Sequence, residues 1–386
     1  ERMAALATKA QLDGAVKYVG LNLIATVAFI AGVGLLYGAT GALNMADLSI
    51  RLDGRGGETA VIAAAAFLIF AFGSKAALFP VYFWLPASYH TPPVATSALF
   101  SALLTKVGVY ALIRVFTLVF DVEGTSLQAL LLWAGLLTMA FGALGALYQN
   151  AIRRVLGYGI ITSIGYMILG LAVSTPLAIA GALFYLFQDV LVKAGLFLSA
   201  GAASRLTGSE EFDESGGIWR ARPWFSLLFL IPALSLAGVP PFSGFWAKLL
   251  LVHATLEVGA FGLTLMVLLV GLLTLFAMGR IWAEVFWSAH PDGDGAITAR
   301  LSAARVIPLL AMTGLIIYIG VAAGPFIGAT LDISAGLINP SAYIEAVLAD
   351  TTAAGTAPDA AGEIGSVAGE ATVESVAGEP TGEASE

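Results

Sequence analysis

The chain has 386 residues, of which 59% are hydrophobic and 11% charged, with a formal net charge of −8 and no cysteine. A soluble globular protein carries about 25% charged residues, so this composition, with a mean hydropathy of +0.89, excludes an ordinary soluble domain. Without cysteine, disulfides, a thiolate zinc site and a cysteine-ligated cluster are excluded too, and His90, His253 and His290 are too scattered to suggest a metal site.

Several apolar runs reach the roughly 20 residues a helix needs to cross a bilayer, and they predict an all-α membrane protein with about nine transmembrane helices. The chain opens on ERMAAL, with neither an initiator methionine nor a signal-peptide pattern, and reads as a fragment or a processed product. Residues 1–17 form a polar lead-in, expected to be cytoplasmic, and a bundle follows over residues 18–323. The first span is predicted at Tyr18–Tyr37. The loop Gly38–Glu58 carries Arg51 and Arg55. A second apolar segment starts near Thr59, reaches Lys75 and continues as a half-helix toward Trp84 and Pro86, with a break predicted by Gly73 and Pro80. In lipid, broken backbone is tolerated only where it is buried in protein or lines a wet cavity. The break therefore argues for a pathway.

The third span, about Val94–Val119, holds Lys106 near its middle and Arg114 toward its end. Spans four to six fall at about Leu127–Leu147, Val155–Val173 and Pro176–Ala202, and the sixth carries Gln188, Asp189 and Lys193. Asp189 and Lys193 stand at i, i+4, the favourable acid-first order on a helix. They read either as a relay or as an ion pair that lowers the cost of insertion. After the polar loop Ser204–Arg222 comes a second broken segment, with Gly238, Pro240, Pro241 and Gly244 at the interruption and Lys248 just beyond. Paired interrupted segments point to a transport site built from repeats, the alternative being two packing kinks. Spans at about Ala260–Phe286 and Val306–Ala323 complete the set. Residues 324–349 form a post-span segment, and residues 350–386 a tail holding eight acidic residues, expected to be disordered.

Lysine near a bilayer centre costs roughly 2.5–3.5 kcal/mol on insertion scales. Low-dielectric surroundings disfavour an ammonium ion, which makes Lys75, Lys106 and Lys248 candidates for proton transfer. Snorkelling to the interface is the competing reading, most of all for Lys75 near a span end. Counting loops by side, eleven basic residues (Arg2, Lys9, Lys17, Arg153, Arg154, Arg205, Arg220, Arg222, Arg280, Arg300 and Arg305) face two, Arg51 and Arg55. The positive-inside rule makes the first set cytoplasmic and places the acidic tail outside.

The stretches KAALFPVYFWLPASYHTPPVATSALFSALLTKVGVYALIR, RRVLGYGIITSIGYMILG and GVPPFSGFWAKLLL resemble the proton-translocating antiporter-like membrane subunits. That family serves Mrp-type cation/proton antiporters, respiratory NADH:quinone oxidoreductase and membrane-bound hydrogenases. LNMADL, KAALFPVYFWLP and NPSAYIEAVL are similar to the D-type subunits of the Mrp antiporters. The resemblance implies a fourteen-helix fold with inverted five-helix repeats, of which these spans would be the sixth to the fourteenth. It implies discontinuous helices at Lys75 and Lys248, and a hydrated axis along which the lysines pass protons. It also implies work among partner subunits in a bacterial cytoplasmic membrane, exchanging Na⁺, sometimes K⁺, for protons. The family's first five helices and their glutamate have no match here, so the chain on its own is expected not to catalyse exchange. Many relatives place a histidine where Ser163 or Gln188–Asp189 stand, so a relay there would use Asp189, Lys193 and water. No nucleotide, flavin or metal motif appears, so neither a cofactor nor nucleic acid is expected as a partner. Two rival readings are a proton-pumping subunit of a redox-driven complex and a scaffold subunit. The absence of a long lateral helix after the last span disfavours the first rival, and buried lysines disfavour the second.

Overall fold

The computed structural model describes residues 9–120, 123–293, 297 and 301–355. The helices are α1 (Lys9–Thr40), α2 (Met45–Arg51), α3 (Thr59–Ala76), α4 (Trp84–Tyr89), α5 (Val94–Leu99) and α6 (Thr105–Leu118). They continue as α7 (Ser126–Tyr148), α8 (Ile152–Val173), α9 (Pro176–Thr207), α10 (Ile218–Ala221), α11 (Pro223–Ala237) and α12 (Ser243–Glu257). The last are α13 (Phe261–Ile281), α14 (Ala303–Val321), α15 (Ala323–Ile338) and α16 (Ser341–Gly355). A π turn at Phe100–Leu104 joins α5 to α6, giving one helix over Val94–Leu118, and a second π turn extends α13 to Trp287. Among the described residues the chain is helical, apart from one isolated bridge, Ala151 to Glu211. Among the described residues, eight helices are long and apolar enough to cross a membrane, and α11 and α15 are shorter apolar helices. Residues through Pro340 form one unit, and α16 lies in a second.

The core is built around α8, which is 94% buried over its apolar window, whereas the window of α1 is 22% buried. α7, α9, α12 and α13 pack against α8, and α6 and α4 close its remaining sides. Gly108 on α6 shows how tight the contacts are, because a side-chain carbon there would lie 2.7 Å from the Ala76 nitrogen on α3. Small residues permit such approaches between membrane helices.

Side-chain contacts sort the loops into two ends. At one end, Arg51 donates to the Thr40 carbonyl at 2.8 Å and Arg55 to the Ala39 carbonyl at 3.3 Å. The two arginines on the sparsely charged side therefore cap the last turn of α1, where carbonyls lack intrahelical partners. Ile338 and Pro340 line a cavity at this same end with Leu52, Gly54, Phe116 and Ser174. At the other end Arg153 donates to the Pro92 carbonyl and pairs with Glu210, and Arg280 reaches the Leu147 and Gln149 carbonyls.

Three expectations change. The lead-in is not separate from Lys9 onward, because α1 begins there and an Asp13–Lys17 pair at 2.5 Å continues the helix. The segment after the ninth span, α14, does not simply leave the bundle. Gly320 accepts from Trp246 beside the second break, and α15 then runs on until Ser334 donates to the Pro176 carbonyl at 2.6 Å. A backbone break at Ala322 separates α14, itself long enough to cross a membrane, from the shorter α15. The post-span segment is therefore helical, and α16 takes in residues 350–355 of the expected tail. Residues 1–8 and 356–386, with Arg300, lie outside the described residues.

Candidate functional site

The second broken segment positions Lys248. α11 ends at Gly238, whose φ of +90° is left-handed and suits glycine, and α12 starts at Ser243. Backbone N–H groups of the turn occupy the Leu234 and Ser235 carbonyls. The Leu236 and Ala237 carbonyls are left to Lys248, whose Nζ donates to them at 3.0 and 2.7 Å. A cation thus sits at the negative end of a half-helix dipole. The Tyr166 ring lies 5.2 Å from the same Nζ, and Tyr166 stacks on Tyr185 at 5.2 Å. The Ser235 and Ser243 hydroxyls meet at 3.1 Å across the break, and Ser243 reaches Gln188 of α9 at 3.5 Å.

Lys106 stands just after the π turn and folds back to donate to the Ser101 carbonyl at 2.7 Å. Such turns open a helix locally and often mark functional positions. The same ammonium lies 2.8 Å from Oδ2 of Asp189 on α9, with side-chain exposures of 3% and 0%. Neither carboxylate oxygen is in an aligned hydrogen bond, so charge rather than directional bonding holds the pair. Lys193 Nζ stands 3.9 Å from Oδ1 of Asp189, is wholly buried, and has no hydrogen-bond partner. Its tip adjoins Gly159 of α8, where a side-chain carbon would come within 3.2 Å. Leu236 lies beside that same position and its carbonyl serves Lys248. Lys106, Asp189 and Lys193, from α6 and α9, therefore form one row, and Lys248 of α12 approaches it through Leu236, which lies beside the Gly159 position.

One carboxylate faces two ammonium groups in a low-dielectric space, and a buried charge without a partner is costly. Lys75 is not in the row. It is exposed, and its Nζ donates to Oδ1 of Asn22 on α1 at 3.0 Å. At the first break the Ser74 carbonyl accepts from the Trp84 indole and the Gly73 carbonyl from the Leu78 N–H. The i, i+4 spacing singled out Lys193 as the partner of Asp189, whereas the structure puts Lys106 nearer. Sequence reasoning also missed Tyr166 and Tyr185. Each stands about one turn from a residue already singled out, Tyr166 from Ser163 and Tyr185 from Asp189, which was a readable signal.

Residues 4–274 match the family model described as NADH:quinone oxidoreductase/Mrp antiporter, TM. The D subunit of the Na(+)/H(+) antiporter of Alkalihalophilus pseudofirmus is 43% identical over 88% of this chain and 69% of its own length. Its namesake from Bacillus subtilis is 39% identical over the same shares. Among solved structures, a chain of the Mrp complex from Dietzia superposes with a TM-score of 0.82 at 30% identity, covering 89% of this chain and 71% of its own. A chain of an archaeal membrane-bound sulfane sulfur reductase does so with a TM-score of 0.79 at 30% identity, covering 88% and 69%. The chain belongs to the NADH:quinone oxidoreductase/Mrp antiporter transmembrane family, among its antiporter D subunits.

Proposed function

We propose that this chain is a proton-carrying membrane subunit of a multi-subunit Na⁺/H⁺ antiporter, in which protons pass along Lys106, Asp189, Lys193 and Lys248. The observation that carries this reading is the buried Lys106–Asp189 pair with the unpartnered Lys193 ammonium behind it. Lys75 stands apart from this row on α3, whose Ala76 meets Gly108 of α6. The arginine-rich end faces the cytoplasm of a bacterial cell, and the chain leaves the bilayer on the opposite side, carrying its acidic tail there. Its work is transport, with Na⁺ or K⁺ as the exchanged ion and no organic substrate transformed.

The test is exchange in everted vesicles from cells making the full-length protein with its partner subunits. Lys106→Ala, Lys193→Ala and Lys248→Ala are each expected to lower Na⁺-dependent proton movement. Unchanged exchange with all three replaced would overturn the reading. The similarity to a chain of the sulfane sulfur reductase complex favours a second reading, a proton pump powered by electron transfer elsewhere in a complex. Proton movement that needs an electron donor and ignores Na⁺ would select it.

A further inference from the structure

The three buried lysines of the interior find different partners. Lys106 has a carboxylate oxygen at 2.8 Å and Lys193 one at 3.9 Å, both on Asp189. Among the described residues Lys248 has no carboxylate beside it. Its Nζ meets the Leu236 and Ala237 carbonyls and stands over the ring of Tyr166 on α8, 5.2 Å from the centroid. A buried ammonium without compensating charge is costly. The negative face of an aromatic ring compensates a cation standing within about 6 Å of its centre, and more strongly where water is excluded.

That ring is fixed from two further helices. Tyr166 is 0% exposed. Its hydroxyl donates to the Val267 carbonyl of α13 at 2.8 Å, and its ring stacks on Tyr185 of α9 with 15° between the planes. Gly271, one turn beyond Val267, leaves room for both groups. A side-chain carbon there would lie 3.6 Å from the Tyr166 hydroxyl oxygen and 3.7 Å from Lys248 Nζ. The hydroxyl is thus committed to α13, while the hydrogen bonds of Lys248 go to α11. What Tyr166 offers the ammonium is the face of its ring.

We propose that Tyr166 is a positioning residue for Lys248, its ring face standing in for the carboxylate that Lys248 lacks and keeping the charged ammonium at the broken end of α11. The proposal rests on the reading of Lys248 as a proton carrier. Unlike a carboxylate, a ring face holds a cation without competing for its proton. Lys106 and Lys193 share a partner that can itself be protonated, whereas Lys248 leans on one whose attraction is fixed.

The quantity to vary is the electron density of the ring, at constant shape. In the full-length subunit with its partners, Tyr166→Phe is compared with phenylalanine carrying one, two or three ring fluorines at the same position, introduced by stop-codon suppression. Fluorine weakens the negative face and barely changes the size. Na⁺-dependent proton movement in everted vesicles is normalised to the amount of assembled complex. Tyr166→Phe is expected to keep at least about half of the exchange, because the hydroxyl only anchors the ring, and three fluorines to lower it to about a tenth in graded steps. The same series at Phe225, fully buried on α11, is expected to be flat. A series at position 166 no steeper than the one at Phe225 would overturn the proposal. So would a loss with Tyr166→Phe as complete as with Lys248→Ala, which would make the hydroxyl the working group. Lys248→Ala, measured alongside, keeps the two readings apart. Exchange lost there with a flat series removes the role of Tyr166 alone. Unchanged exchange there removes the proton-carrying reading of Lys248, and the role of Tyr166 with it.

Discussion

Lys106 and Asp189 meet at 2.8 Å although 82 positions separate them in the chain, and both are almost fully buried. This pair, rather than Asp189 with its helical neighbour Lys193 at 3.9 Å, anchors the ionisable row. Removing one member of a buried pair costs about 3–5 kcal/mol, whereas removing both is far milder. Asp189→Asn alone is expected to lower the abundance of the assembled complex sharply, and Lys106→Met with Asp189→Asn to restore most of it. A double-mutant cycle on abundance measures this. Coupling of Asp189 to Lys193 as strong as that to Lys106 would contradict it.

Lys248 differs from a lysine that merely raises the cost of insertion. It satisfies the Leu236 and Ala237 carbonyls, each worth about 1–3 kcal/mol if left bare. Lys248→Ala is therefore expected to lower thermal stability as well as exchange. Lys248→Arg should retain most of the stability while still impairing exchange. Thermal unfolding of the purified complex, read beside vesicle transport, separates the two effects.

Gly238 carries the turn that frees those carbonyls. A side-chain carbon there would sit 2.7 Å from Cδ of Lys248, at a φ of +90°. The left-handed conformation costs a non-glycine residue about 1–2 kcal/mol, and the clash adds to it by displacing the lysine. Gly238→Ala is expected to reduce both stability and exchange. Gly34→Ala, at a position with open space around it, should change neither.

The loop capping α1 should respond to acid. The Arg55 hydrogen bond holds the Glu58 carboxyl below the usual glutamate range. A depressed folded pKa means the contribution is present above the unfolded value, about 4.3, and is lost as pH falls through the folded value. Hydrogen exchange of residues 52–58 is expected to stay flat from neutral to mildly acid pH and to rise below that window. Glu58→Gln should remove the acid step.

Sidedness is open to direct labelling. Asp213→Cys and Gly56→Cys lie on exposed loops at opposite ends of the bundle. An impermeant reagent added to intact cells is expected to label Gly56→Cys and spare Asp213→Cys. The reverse pattern would invert the orientation.

Sequence by itself determined what depends on local chemistry. Apolar runs the length of a bilayer have little alternative to helix, because every backbone group in lipid must be satisfied within the segment. Pro80, Gly238 and Pro240 mark the two breaks for the same reason, since they remove donors or free the backbone. The lysines stood out because a charge among apolar neighbours is expensive wherever it ends up. Partnership was decided by tertiary structure alone. Periodicity on α9 ties Asp189 to Lys193, but the packing of α5 and of the π turn before Lys106 on α9 brings the other lysine nearer. Lys75 and Lys248 look alike in sequence, each beside a break. One caps bare carbonyls in the interior, while the other turns outward to Asn22. The electrostatics of a buried charge are set within a few ångströms, and those ångströms are filled by residues far away in the chain.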